Sequence, residues 1–521
     1  MTQTSLRILW LAALAAPTVA AQNPASGPLR TRTVYEDLQM FTGVLNQIRV
    51  NHPDSMDSHA VIIAAIRGML GEMDPHSYVL VARPLVAEKL AELQKGRLVP
   101  IPVSFHFVGG SIVVAGVVPG SSAARAGMLA GDELTAIEGK SVEAESADEL
   151  ELILSGPKGS PVRLTVERQF SDGTRQSSTH TVKREKPEEG TAVPAAFMLA
   201  PGIGYLRITT FVAAKIADDV QSAISRLEHE GLTRLVVDLR DNGGGDVKAA
   251  ADVASLFLPT GSVVYSQEGR KSELNDTIKV KRGFLGGSPR TWPVAVLVNE
   301  GTASASELVA GALQDHDRAT IVGRPTFGKS LVMRPFPLPD GSLLWMVVGR
   351  MRTPCGRVIQ REYRGVTLRE YYRLAAAARD TAGRPSCTTP GGRRVFGGGG
   401  IYPDRVLDAR PARSPWLSRI EASLVVTKWV SGYLSQHPEI KDQRVSIIGS
   451  LALPAGSLAD FRRFASTEGL TVPEGADADR LLSRLLLLWL ADSAWGEGAA
   501  YQVTALTDPE VEAARLALDR K

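Results

Sequence analysis

The segment 294–329 constrains the fold more than any other part of the chain. Five consecutive apolar residues, Val294 to Val298, stop at Asn299, and a Gly/Thr/Ala/Ser turn leads into a helical pattern from Ala305 to about Gln314. A second apolar run, Ala319 to Val322, delivers Gly328-Lys329 at the far end of another candidate strand. Strand, helix and strand in that order form a crossover unit whose strands run parallel in one sheet. The spacing of 25 between Ser304 and Lys329 suits such a unit and places both side chains at the same sheet edge. Ser304 falls at the strand-to-helix turn, where main-chain N–H groups point at whatever the hydroxyl attacks. A hydroxyl and an amine presented together imply nucleophilic chemistry with the amine as base.

The stretches Thr302-Ala303-Ser304-Ala305-Ser306-Glu307, Gln314-Asp315 and Thr326-Phe327-Gly328-Lys329 carry a resemblance. In residues and order they are similar to the carboxyl-terminal processing (tail-specific) serine peptidases, over roughly Tyr35 to Asp404. The resemblance implies an α/β multi-domain chain: a crotonase-like α/β peptidase core, a PDZ-like β-rich module, and helical N- and C-terminal regions. It makes Ser304 the nucleophile and Lys329 its general base. It also implies a glutamine four residues after the lysine to orient the amine. Met333 stands there instead, and a thioether is a poor partner for an amine. Ser330 is the candidate to take over that support.

The rest of the chain divides by pattern. Residues 30–97 read as helical, with Leu38, Phe41, Val44, Leu45 and Ile48 at helical spacing and Asp74-Pro75-His76-Ser77-Tyr78 closing the segment. His76 is read as structural, beside a proline turn. Residues 98–185 change to short strands and turns, with Ser121-Ser122-Ala123, Ala126-Gly127 and Gly131-Asp132 in an order similar to a PDZ domain. Such modules bind peptide termini by adding a strand to a sheet edge. The loop that would cradle a terminal carboxylate is here Val99-Pro100-Ile101-Pro102-Val103, and its two prolines bring no N–H donors. Gating of access or binding of internal sequence is the alternative role for the module.

The peptidase core is expected over 190–410, starting at the strand Ile203–Ile208. A helix from Ile216 to Leu227 and the buried strand Leu235–Leu239 follow, then Arg240-Asp241-Asn242-Gly243-Gly244-Gly245. Glycines at a strand end let main-chain N–H groups approach a ligand closely. The resemblance assigns one oxyanion donor to this loop, with Gly244 and Gly245 as candidates, and the other to the Ala305 amide. An insertion rich in Arg and Tyr occupies about 360–399, with a helix expected at Thr367–Arg379. Residues 411–521 read as a helical C-terminal region, whose apolar patch Leu485–Ala491 is a buried helix.

Residues 1–21 read as an export signal: Arg7, a short apolar core Ile8–Ala16, and small residues Val19-Ala20-Ala21 before Gln22. The core is shorter than the ~20 residues that span a bilayer, and an uncleaved anchor is the alternative reading. Export, to the periplasm or outside the cell, gives Cys355 and Cys387 meaning, because an oxidising compartment favours a disulfide between them. Two unrelated buried thiols are the other reading. A net charge of +3 over 521 residues carries no nucleic-acid-binding bias.

Gly323-Arg324-Pro325-Thr326-Phe327-Gly328-Lys329-Ser330 also fits the phosphate-binding pattern G-x-x-x-x-G-K-S. That motif needs a helix beginning at the lysine, and Pro335, Pro337 and Pro339 forbid a long one. The expectation is therefore an exported serine endopeptidase with a Ser304–Lys329 dyad and no metal or cofactor. Its partners would be envelope or unfolded polypeptides, with an adaptor or regulatory protein and the oligomeric state left open. The rival is a catalytically impaired PDZ-containing scaffold that binds peptides.

Overall fold

A computed structural model describes residues 33–81, 89, 92, 97–108, 111–117, 121–128, 132–142, 144, 147–169, 175–185, 192–212, 215–281, 288–365, 371, 381–408, 414–423 and 425–519. The export signal and all of the expected helix 367–379 except Tyr371 lie outside these residues. Two compact units divide the chain, residues 1–65 and 66–521. The first holds α1 (Val34–Asn51), begun by a reciprocal cap in which the Glu36 carboxylate accepts from Thr33 N and Thr33 Oγ1 accepts from Glu36 N. α2 (Ser58–Met73) runs across the division. Residues 30–97 are not wholly helical, since β1 (Tyr78–Leu80) is a strand. Three residues are too few to show a period in sequence.

The module that follows is an antiparallel sheet. Its strands are β2 (Val103–Val108), β3 (Ser111–Val117), β4 (Glu133–Ile137), β5 (Lys140–Ser141), β6 (Pro161–Gln169) and β7 (Arg175–Lys183). They lie in the order β2-β3-β4-β6-β7, with β5 beside β4. Helices α3 (Ser122–Arg125) and α4 (Ala147–Leu154) fall between strands in sequence. Along β6, Val162, Leu164 and Val166 are buried and the residues between them are not, as a sheet with one face on a core requires. Leu150 and Leu154 of α4 complete that core.

The central sheet is built from β8 (Ala195–Ala200), β9 (Ile203–Arg207), β10 (Arg234–Asp238), β13 (Val294–Val298), β14 (Ala319–Gly323) and β19 (Arg405–Val406). Its order is β19-β14-β13-β10-β9-β8, parallel except for the edge strand β8. Crossover helices α5 (Ile216–His229), α6 (Val247–Ser255) and α7 (Ala305–Asp315) cover one face, where Leu206, Val237, Val296 and Ile321 meet Val220, Ile224, Ala250 and Leu308. The alternate residues Tyr205, Val236, Ala295, Leu297 and Val322 face the other way. They are covered by chain from beyond residue 495: α9 (Glu497–Thr507) and α10 (Pro509–Ala517), through Ala505, Val511, Ala514 and Leu518.

Burial on both faces explains why these strands read as unbroken apolar runs. It also corrects the reading of 411–521 as a region apart from the core, because α9 and α10 belong to it. The remaining C-terminal helices, including α8 (Ala476–Trp495) with buried Leu485, Leu486, Leu487 and Leu490, form their own core around Trp429 and Phe461.

A second sheet, antiparallel, orders β1-β16-β11-β12, where β11 is Val263–Gly269, β12 Asp276–Lys279 and β16 Leu343–Arg352. β15 (Leu331–Pro337) pairs with β16, so the chain after Lys329 is a strand. That disposes of the phosphate-loop reading, which needs a helix there. β17 (Ser386–Thr388) and β18 (Arg394–Phe396) form a small hairpin within the insertion. The carboxyl ends of β10, β13 and β14 meet at one edge of the parallel sheet, where ligands of such sheets bind.

Candidate active site

β13 ends at Asn299, and a hydrogen-bonded turn reverses the chain into α7. Thr302 N donates to Asn299 O at 2.9 Å, and Thr302 Oγ1 donates to Leu239 O at 2.8 Å, tying the turn to the end of β10. Ser304 follows with φ 55° and ψ −118°, a backbone conformation that a residue with a Cβ adopts at a cost of ~1–3 kcal/mol. A serine held in that strained turn at a helix start is presented outward from the sheet.

The glycine loop is fastened to the same turn. Ala303 N donates to Asn242 O at 3.0 Å, and Asn242 Nδ2 donates to Ile208 O at 3.0 Å. A Cβ placed on Gly244 would lie 2.7 Å from Ala303 O, 2.8 Å from Ala305 N and 2.9 Å from Ser304 Cβ, so the loop touches the serine turn and needs glycine there. Gly244 N itself donates to Asn242 Oδ1 at 3.0 Å. Of the expected donors, the Gly244 amide is thus occupied, while Gly245 continues into Asp246, which caps α6.

The lysine loop reaches this turn through one carboxylate. Glu307, in the first turn of α7, is fully buried. Its Oε2 accepts from Ser304 N at 2.9 Å and from Lys329 N at 2.8 Å. Its Oε1 accepts from Gly328 N at 2.8 Å and from Thr326 Oγ1. The amides of Ser304 and Lys329 therefore share a single oxygen and lie within two hydrogen-bond lengths of each other. Burial pushes the Glu307 carboxyl above its ordinary range, against the pull of its donors. Glu307 stood in the sequence motif without a role. The signal was present, because a glutamate three residues after an N-cap serine is a capping-box spacing.

Behind the lysine lies a buried polar group from four parts of the chain. Ser330 N donates to Gln360 Oε1 at 2.9 Å, and Gln360 Nε2 donates to the Tyr371 hydroxyl at 3.1 Å. His76 Nε2 lies 3.1 Å from that same hydroxyl. The His76 imidazole is driven from 6.5 down to about 3, first by burial and further by Arg361 and by any charge that Lys329 carries. It is neutral, in keeping with a structural role. Ser330 does not fill the place expected of it. Its N–H is held by Gln360 and its carbonyl by Met351 N, and its Oγ is buried with no hydrogen-bond partner.

Cys355 and Cys387 are joined in a disulfide with Cα atoms 6.4 Å apart, linking β17 of the insertion to the turn after β16. Asp315 Oδ2 accepts from Cys355 N at 2.9 Å, and Arg357 pairs with Asp315. Gln314 Nε2 donates to Tyr402 O at 2.9 Å, so the Gln314-Asp315 motif holds the closing loops of the core. In the PDZ-like module, Val99 N donates to Gly156 O and Val103 N to Ile101 O, both at 2.9 Å. Two of the three N–H groups in the loop 99–103 are thus spent internally. Among the described residues no cluster of three or more His, Cys, Asp or Glu side chains could hold a metal ion.

Residues 202–368 match the model of peptidase family S41, and residues 113–168 match that of a PDZ domain. The chain is 33% identical over 333 residues to the carboxy-terminal-processing protease of Bartonella bacilliformis, covering 63% of this chain and 74% of that protein. It is 33% identical over 294 residues to the carboxyl-terminal-processing protease of Synechocystis, covering 56% and 66%. Among solved structures, the photosystem II D1 C-terminal processing protease aligns with a TM-score of 0.47 and 26% identity, covering 72% of this chain and 87% of that one. A third of the residues shared over most of such a protein, with a PDZ match where the antiparallel module lies, shows that the chain belongs to the carboxyl-terminal processing serine proteases of peptidase family S41.

Proposed function

We propose that the chain is an exported endopeptidase that cuts peptide bonds of envelope or unfolded proteins through Ser304 and Lys329. Free lysine titrates near ~10.4, so the base must be held uncharged, and burial lowers such a group by up to ~3–5 units. Neutral Lys329 then takes the Ser304 proton as the hydroxyl attacks the peptide carbonyl. The oxyanion sits against the Ala305 amide at the start of α7 and against the glycine loop. There Gly245 is the better donor, since Gly244 N–H is engaged by Asn242. Protonated Lys329 passes its proton to the leaving amine, and water hydrolyses the acyl-enzyme.

The observation that carries this reading is the shared oxygen of Glu307, which brings the Ser304 and Lys329 main chains together. The parallel sheet with its crossover helices supports a crotonase-like description of the core. The proposed domains are a signal over 1–21, an N-terminal region to 97, a PDZ-like module over 98–185, a peptidase core over 190–410 that α9 and α10 complete, and a helical region between 411 and 495. Among the described residues no helix is long and apolar enough to cross a membrane.

The test is incubation of the full chain with a permanently unfolded protein. Wild type cleaves it, and Ser304→Ala and Lys329→Ala each lose at least ~10³-fold in rate. Equal cleavage by all three would remove the dyad. The idle Ser330 hydroxyl and Met333 favour the second reading, a peptide-binding scaffold with impaired catalysis. Binding of the unfolded protein with no cleavage by wild type is its outcome.

A further inference from the structure

Arg361 follows Gln360 directly and has no place in the chemistry above. Its main-chain N–H donates to Gly328 O at 3.1 Å, anchoring it to the lysine loop. Its guanidinium carbon lies 4.0 Å from the centroid of the Phe327 ring and 3.9 Å from that of Tyr371, and those rings meet edge to face with planes 78° apart, so the group sits in the corner the two aromatic rings make. The residue is 5% exposed, and its three guanidinium nitrogens are buried with no hydrogen-bond partner. Among the described residues no carboxylate forms an ion pair with it. Glu362, next in the chain, accepts instead from Tyr363 N and Arg364 N. Arginine stays charged at any pH a protein meets, so a permanent cation is stored here with no counter-ion among the described residues.

A buried charge of that kind is costly, and its field reaches its neighbours almost unscreened. The groups around the lysine loop can be named. His76, from the turn before β1, is neutral and feels both Lys329 and Arg361. Tyr371 is a phenol in contact with the guanidinium, and burial raises it first of all. Glu307, from α7, is the acid that holds the lysine loop, and its oxygens are occupied by four donors. Among the described residues that leaves Arg361 as the fixed charge on the side of His76 and Tyr371.

We propose that Arg361 is a positioning residue acting through charge: held in the corner between the Phe327 and Tyr371 rings beside the lysine loop, it disfavours a second cation at Lys329 and so keeps that amine ready to accept the Ser304 proton. A like charge beside a lysine is an established way to obtain a neutral amine base. The proposal rests on the dyad reading and adds the source of the lysine's neutrality. Tyr371 comes from the insertion, so part of this device is supplied by chain between the core's closing motifs.

The experiment is the pH dependence of kcat/KM for cleavage of an unfolded protein. The acid limb of that profile reports the base of the free enzyme. Arg361→Met is expected to move the limb upward by about one pH unit, so that activity below the limb falls about ten-fold while the alkaline plateau is kept. Arg361→Lys restores the charge and the wild-type limb. Gln360→Glu puts an anion into the same cluster while keeping Arg361, Phe327 and Tyr371 themselves, with the Tyr371 hydroxyl able to donate to the new carboxylate; it moves the limb the same way and carries the test if Arg361→Met does not fold. An unmoved limb with a lowered plateau would show packing alone and overturn the proposal, as would an equal displacement in Arg361→Lys. Inactive Ser304→Ala and Lys329→Ala beside an unmoved limb would sink this inference and leave the dyad standing.

Discussion

A buried carboxylate away from water must find its donors inside the protein, and Glu307 finds four of them in the two segments that matter. An amide in its place would turn an NH₂ towards main-chain N–H groups and leave at least one pair opposed. Glu307→Gln is therefore expected to cost about 2–4 kcal/mol in stability and at least ~10² in kcat, with KM changed little. Urea unfolding and steady-state kinetics measure the two, and wild-type values for both would refute the role. His76 supplies a prediction with a sign. Its imidazole falls from 6.5 to about 3 on folding, chiefly by burial, so between those values the unfolded chain holds a proton that the folded one refuses. Stability from this group is whole above the unfolded value and declines as pH falls through the window, by about 1.4 kcal/mol per pH unit. Thermal melts across that range should slope less steeply in His76→Gln than in wild type. Of these residues, Ser304 and Lys329 are legible because a local turn and a motif mark them, and Glu307 because its spacing from Ser304 is that of a cap. Arg361 and Tyr371 are not, because their partners Phe327 and His76 lie far off in the chain.

At the level of elements, β13, β14 and α7 follow from their apolar runs almost residue for residue. The helix α10 does not announce its place. Its buried residues are mostly small, Ala514 and Ala517 beside Val511, and nothing in that pattern names a sheet as the partner. Yet its start is charged to purpose. Arg240, which begins the glycine loop, donates to Asp508 Oδ2 at 2.7 Å and Glu510 Oε2 at 2.6 Å. Arg324, which begins the lysine loop, pairs with Glu510 and with Glu300. Asp238 completes the group. Burial alone would raise its carboxyl, but the guanidiniums of Arg207 and Arg240 beside it hold it well below the usual range. One acid thus steadies both loops from below the sheet. Glu510→Gln takes one carboxylate from buried Arg240 and one from half-buried Arg324, which keep Asp238, Asp508 and Glu300, and is expected to cost about 1–3 kcal/mol. A melting temperature equal to wild type would show the pairs to be dispensable.

Across the whole molecule, the module order was open to reading because each part has its own period: alternation in the PDZ-like sheet, continuous apolar strands in the core, helical spacing elsewhere. What stayed closed was how later chain returns to earlier chain, since long-range packing leaves no local period. The disulfide and the hairpin β17–β18 fix the insertion to the core, and α10 reaches back to strands laid down far earlier. That return has a consequence for biosynthesis. Lys329 leaves the ribosome about 180 residues ahead of α10, and until α10 follows, Tyr205, Val236, Leu297 and Val322 lack part of their roof. The nascent chain thus carries Ser304 and Lys329 on an unfinished scaffold, and completion of the sheet's second face is deferred by the order in which the chain is made.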